Sequence, residues 1–254
     1  VISDVPRNVV DRGQSAPHPV LRSEVRHPAE RGTNGSTMPL KGRRILKRKS
    51  VALLEDLKKS AERITGWQRP AADQLASLLR RPKRGIFRFR DDGKIPNHPG
   101  WPVVIYWSII HLPRTLDPAA VIEDFFASNG WGKSWRNGIY DSLHYHSRIH
   151  EVLGIACGSA KVRLGGDRGR TLKLSAGDVV ILPAGTGHQC LAASKDFLVV
   201  GAYPPSGAYD ECRPSADAEE HQRRVKSVAK VKRPRKDPVF GAKGPILKMW
   251  KLKR

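Results

Sequence analysis

The residues best suited to chemistry are three histidines and a glutamate. His144 and His146 are separated by one residue, Glu151 follows five positions on, and His188 lies in a separate glycine-bounded stretch. Imidazole suits Fe, Ni, Cu and Zn, and a carboxylate adds a harder oxygen donor, so the set has the composition of a transition-metal site. On a β-strand, side chains alternate with period two, which projects His144 and His146 to one face. Glu151 is an odd step beyond His146 and would point away from that face on a continuous strand. It rejoins the face only if a turn or bulge falls within residues 147–149. His150, an even step beyond His146, is the competing ligand if the strand runs straight, and spacing alone leaves the two open. The second stretch reads Gly177-Asp-Val-Val-Ile-Leu-Pro183-Ala-Gly185-Thr-Gly187-His188. An apolar strand ends at a proline, reverses through glycines that tolerate positive φ, and delivers His188.

The surrounding elements must hold these side chains together. Residues 161–164 and 171–174 alternate around a glycine-rich loop from Gly165 to Gly169, as a hairpin does. Residues 179–182 and 197–200 are short apolar runs suited to the interior of a sandwich or barrel. Many short strands at this spacing indicate a closed all-β domain. Before them, Asp117-Pro118 starts a helix with Val121, Ile122, Phe125 and Phe126 as its buried face and Asn129-Gly130 as its end. Residues 102–110 are rich in Val, Ile, Tyr and Trp and read as a strand, and Phe87-Arg88-Phe89 alternates after a change of pattern at Gly85. Upstream, the spacing predicts a helix over 51–64, capped by Ser50 and stopped by Gly66, and a shorter one after Pro70 with Leu75, Leu78 and Leu79 on its face.

Charge divides the chain. Residues 1–84 carry 19 Lys and Arg against 8 Asp and Glu, residues 213–254 carry 14 against 4, and the centre is nearly balanced at 13 against 12. The expected organisation is a disordered basic N-terminal extension (1–49), a helical arm (50–84), a β-barrel domain (85–212) and a basic linker (213–236). Met38 is an alternative start that would leave residues 1–37 outside the protein. The basic run 41–49 and the C-terminal charges read as solvated tails or as contacts for nucleic acid. Cys157, Cys190 and Cys212 are odd in number and include no CxxC pair, which disfavours a disulfide framework or a zinc finger and fits a reducing, cytoplasmic setting. No apolar run approaches a membrane span.

Together the two stretches resemble the cupins. Their first motif, G-x5-H-x-H-x3,4-E-x6-G, matches at Gly138, His144, His146, Glu151 and Gly158. Their second, G-x5-P-x-G-x2-H-x3-N, matches at Gly177, Pro183, Gly185 and His188, with Ala192 in place of the final Asn. Beyond the motifs, FRFRDDGKIPNHP, NGWGKSWRNGI, HYHSRIHEVLG, GDVVILPAGTGH, VVGAYPP and DPVFGAKGP are similar to the YjlB-like bacterial cupins. The resemblance implies a double-stranded β-helix, a jelly-roll barrel, to which the spacing adds one preceding helix and a helical N-terminal extension. It also implies that residues 237–254 pack on the barrel, and that His144, His146, Glu151 and His188 bind one divalent metal (Fe(II), Mn(II), Ni(II) or Zn(II)).

The function expected from such a site is metal-dependent catalysis on a small oxygen-rich substrate, dioxygenase-like oxidation first and isomerase or lyase chemistry second, with Glu151 as a base. The competing expectation is a non-catalytic small-molecule or interaction module with basic tails. A homodimer is compatible with either. Around the site, Trp135-Arg136 reads as a pocket wall or as an outer packing pair, Tyr145 as a residue facing away from the metal, and Cys157 and Cys190 as buried structural thiols or as reactive thiols pointing inward near the site. His98 and His111 receive no role.

Overall fold

The computed structural model describes residues 68–251 apart from 72 and 82; the helix expected over 51–64, the basic run 41–49 and the first 37 residues lie outside them. Among the described residues, nine strands form two antiparallel sheets. They are β1 (Lys83–Phe87), β2 (Val103–Trp107), β3 (Gly132–Asn137), β4 (Glu151–Cys157), β5 (Ser159–Leu164), β6 (Arg170–Ser175), β7 (Val179–Leu182), β8 (His188–Ala193) and β9 (Leu198–Tyr203). The large sheet has the order β1-β2-β7-β4-β9-β3 and the small one β6-β5-β8. This is the jelly-roll arrangement of a cupin, with two sheets face to face.

Strand alternation sorts the core into two layers. Val103, Ile105, Leu153, Ile155, Val180, Leu182 and Val199 of the large sheet meet Ala160, Val162, Leu164 and Leu174 of the small one. The intervening residues Val104, Tyr106, Val152, Ala156, Ile181 and Val200 face outward and are covered by helix α1 (Pro118–Ser128) through Ile122, Phe125 and Phe126. Helix α1 starts as its sequence requires: the Asp117 carboxylate accepts from the Ala119 N–H, with Pro118 at the first helical position. It sits close to the sheet at Gly154, where a Cβ would collide with Ile122 and lie 3.0 Å from Phe126.

Three elements differ from expectation. The change of pattern placed at Gly85 comes two residues earlier, because β1 begins at Lys83 and pairs with Trp107. The short helix after Pro70 is a single 3-10 turn, Leu75–Leu78, with only Leu78 buried. The segment read as a basic linker contains α2 (Ala218–Lys230). Asp217 caps it by accepting from the Glu219 and Glu220 N–H groups, and His221 and Val228 are its buried residues. Its apolar stripe is too narrow to stand out among so many charges.

The outer layer is completed from the C-terminus. Val239, Ile246 and Trp250 belong to the same cluster as α1, Ile246 lying within the one-turn helix α3 (Ile246–Met249). Asp237, fully buried, accepts from the Tyr106 hydroxyl (2.5 Å) and from the N–H groups of Val239, Phe240 and Ile246. Trp250 stacks on Trp101 (centroids 5.4 Å apart, planes at 3°) and donates its indole N–H to the Pro102 carbonyl.

Candidate metal centre

The two histidine-bearing stretches meet through the backbone. His144 and His188 form an isolated antiparallel bridge, each N–H donating to the other's carbonyl at 3.2 and 2.9 Å. His188 opens β8 after the tight turn at Gly185 (φ +84), where a Cβ would meet Val228 of α2 at 2.8 Å. The parity problem of Glu151 is solved by a bend at Ser147 and Arg148. Asp210 clasps that bend, accepting from the Ser147 N–H (3.0 Å), the Ser147 hydroxyl (2.5 Å) and the Arg148 N–H (3.0 Å). The chain re-enters the sheet at Glu151, whose side chain falls on the same inner face as Leu153 and Ile155.

The result is a buried cluster. His144, His146, Glu151 and His188 are each no more than 5% exposed. One ring nitrogen from each histidine lies within 4.8 Å of the others, a spacing that could hold a metal ion. The Nδ1 atoms face backbone carbonyls: His144 that of Ser142 (3.0 Å), His188 that of Thr186 (3.1 Å), and His146 that of Asp210. An imidazole donating from Nδ1 to a carbonyl presents the lone pair of Nε2, the arrangement usual for metal-binding histidines. Glu151 Oε2 stands 3.3 Å from Nε2 of both His146 and His188 and makes no hydrogen bond among the described residues.

Electrostatics favour a cation here. Burial alone would raise the Glu151 carboxyl, but the His146 and His188 imidazoles hold it well below the usual range, so it is anionic. Burial opposes charge on His146, yet the Glu151 carboxylate outweighs it and raises this group to about 9. His144 is pushed down to about 3 by burial and by the neighbouring His188 ring. In the absence of a metal the protonated His146 ring, 3.3 Å away, is the charge partner of this buried carboxylate, and a cation that displaced that proton would pair with it instead. A divalent ion among these four side chains would do so, and the donor set fits one.

His150 is taken out of the competition by its own contacts. Its Nδ1 accepts from the Ala184 N–H (2.9 Å), which fixes the proton on Nε2, and Nε2 donates to the Lys232 carbonyl (3.2 Å). The ring packs against Trp101 and Trp250, away from the cluster. Trp135 and Arg136 part company: Trp135 donates its indole N–H to the Tyr203 hydroxyl (2.9 Å), whereas Arg136 pairs with Glu123 and Asp117 at helix α1. Tyr145 is buried with Ile95 and Cys212, pointing away from the histidines. Cys157 and Cys190 are half-buried free thiols packed against the outer and inner core layers.

Sequence reasoning passed over Asp210 and the tyrosines. Tyr140 lies 5.1 Å from the His144 ring, and Tyr209 and Tyr203 lie 5.1 and 6.1 Å from His146, centroid to centroid. Burial, followed by the Glu151 charge, holds the Tyr203 phenol above its usual range, so it stays protonated. These residues are 4 to 64 positions from the motif ligand they serve, and no local spacing marks them.

No family model matches the chain. It is 36% identical over 162 residues to the "Uncharacterized protein YjlB" of Bacillus subtilis (strain 168), covering 64% of this chain and 93% of that one. Solved structures similar to it include a cupin 2 domain-containing protein from Halorhodospira halophila, at 15% identity over 60% of this chain and 83% of that one (TM-score 0.26). They also include oxalate decarboxylase from Bacillus subtilis, at 22% identity over 47% and 29% of the two chains (TM-score 0.28). Acireductone dioxygenase from Bacillus anthracis is similar at 18% identity over 34% and 59% (TM-score 0.27). With more than a third of positions identical across nearly the whole of YjlB, and both glycine-framed motifs brought together inside a jelly roll, the chain belongs to the YjlB family of cupins.

Proposed function

We propose that this protein is a metal-dependent enzyme acting on a small oxygen-rich molecule, with one divalent transition metal held by His144, His146, Glu151 and His188. The carrying observation is the buried, anionic Glu151 oxygen, which has no hydrogen bond among the described residues and lies 3.3 Å from two imidazole nitrogens. A metal bound there supplies Lewis acidity to a chelated substrate and, if redox-active, a route for electrons or O2.

The chain's own residues supply the rest. The backbone carbonyls at Nδ1 fix the ring orientations. Glu151, if released from the metal when substrate binds, is the buried carboxylate able to take a proton from an acidic substrate C–H or O–H. Tyr203 accepts from Trp135, which leaves its own O–H to donate to a substrate oxygen or to Glu151. Tyr140 and Tyr209, each 47% exposed, line the approach from solvent.

Oxidation of the dioxygenase type is the leading reaction, with isomerase or lyase chemistry second. The setting proposed is a reducing cytoplasm, which matches three free thiols. The test is oxygen uptake by the Fe(II)-loaded protein against a panel of small hydroxy acids and diketones, with elemental analysis of protein purified without added metal. Uptake that is lost in His188→Ala supports the reading. Tight loading with no turnover by any of the four metals overturns catalysis in favour of a binding module.

A further inference from the structure

We infer that residues 222–236 form a pre-organised basic ridge that binds the phosphate backbone of duplex nucleic acid without reading its sequence. This stretch has eight Lys and Arg and no Asp or Glu. Arg223 and Arg224 pair with carboxylates, to Glu219 and to Asp210 and Glu220 respectively. Lys226, Lys230, Lys232, Arg233, Arg235 and Lys236 are exposed and make no ion pair among the described residues.

The ridge is anchored. His221 donates to Asp91, and Val228 is fully buried beneath α2. Beyond the helix, the Lys232 carbonyl accepts from His150 and the Lys236 carbonyl from the Trp131 indole (3.0 Å). The backbone is held from below while the cationic side chains reach solvent. Pre-organisation of this kind lowers the ordering cost of binding. A loose tail of equal charge would incur that cost in full.

Length and composition select the partner. Lys226 and Lys230 are one helical turn apart, about 6 Å, and residues 231–236 extend the line to at most ~25 Å. A span of that length would pass no more than about seven phosphates of one strand of a duplex. None of the exposed large apolar residues (Ile86, Tyr140, Leu191 and Tyr209) lies in the ridge. An interfacial membrane helix needs such an anchor, and single-strand binders need aromatics for base stacking. Cations alone suit duplex phosphates. The central residues 85–212, with 13 cations against 12 anions, provide no comparable field.

The test is fluorescence anisotropy of the full chain with labelled ~20-bp duplexes of unrelated sequence, titrated across salt. The ridge variant carries Lys226→Glu, Lys230→Glu, Arg235→Glu and Lys236→Glu. A control with the same change in net charge carries Lys94→Glu, Lys133→Glu, Lys161→Glu and Lys195→Glu. With four phosphate contacts removed, the slope of log affinity against log salt should shrink by about 3–4 in the ridge variant. The control should change it by less than about 1, and the duplexes should bind alike. A parallel set with Gln at the four ridge positions guards against misfolding and should lose the same slope. Equal slopes in ridge and control variants, or unchanged binding in either ridge set, overturn the proposal. Preference for vesicles of 30% phosphatidylserine over duplex would also overturn it.

Discussion

Replacing Trp250 with alanine tests whether the C-terminal residues are part of the core. The indole is fully buried, stacks on Trp101, lies 4.9 Å from His150 and donates to the Pro102 carbonyl. A buried tryptophan removes roughly 150–250 Å² from water, or about 4–6 kcal/mol at ~25 cal/mol/Å² as an upper bound. Measured truncations of buried Trp to Ala cost about 3–5 kcal/mol, which includes the cavity left behind. Trp250→Ala should therefore lose about 4 kcal/mol. Trp250→Phe keeps a ring against Trp101 and loses mainly the hydrogen bond and part of the area, for about 1–2 kcal/mol. Urea unfolding of the metal-free full chain, followed by circular dichroism, separates the two. Metal-free protein is required because binding would add its own stabilisation. A loss below about 1 kcal/mol for Trp250→Ala would refute the reasoning, because a dispensable indole cannot be closing the outer layer.

Other outcomes follow from the site and its supports. Adding the cognate metal at about 100 times its Kd should stabilise the fold by about 2.7 kcal/mol, raising Tm by roughly 5–10 °C in scanning fluorimetry. A chelator should reverse the shift, and His188→Ala should abolish it. Asp210→Ala removes the clasp on the Ser147–Arg148 bend and should weaken metal affinity about 10- to 100-fold, read by competition with a chromophoric chelator. Unchanged affinity would mean that the bend holds itself. Burial lowers His98 to about 4, below the ~6.5 of an unfolded histidine, so the unfolded chain binds the extra proton. Its contribution is intact above pH ~6.5 and is lost as pH falls toward 4, by about 2 kcal/mol at pH 5. His98→Gln should flatten the acid limb of stability against pH by that amount. Gly154→Ala drives a methyl into Ile122 and should cost about 1–3 kcal/mol in urea unfolding; a neutral result would show that α1 can move off the sheet.

The sequence by itself determined what depends on nearest neighbours. Asp117-Pro118 sets where α1 starts, because cap and constraint are adjacent residues. The runs at 161–164 and 171–174 are legible as strands by their alternation about a glycine-rich turn, and 179–182 as a short, largely β-branched apolar run bounded by Gly177 and Pro183. The identities of His144, His146, Glu151 and His188, framed by Gly138, Gly158, Gly177 and Gly185, mark a set of candidate metal ligands and the jelly roll that frames them.

What tertiary structure decided are the questions that turn on partners far away in the chain. Whether Glu151 or His150 faces the histidines rests on Asp210, about 60 residues on, and on Ala184 and Lys232, which occupy both nitrogens of His150. Whether residues 218–230 are linker or helix rests on Gly185 and Asp91, against which Val228 and His221 pack. Local spacing carries no record of such contacts, because hydrogen bonds and buried area between distant segments exist only once the chain has brought them together.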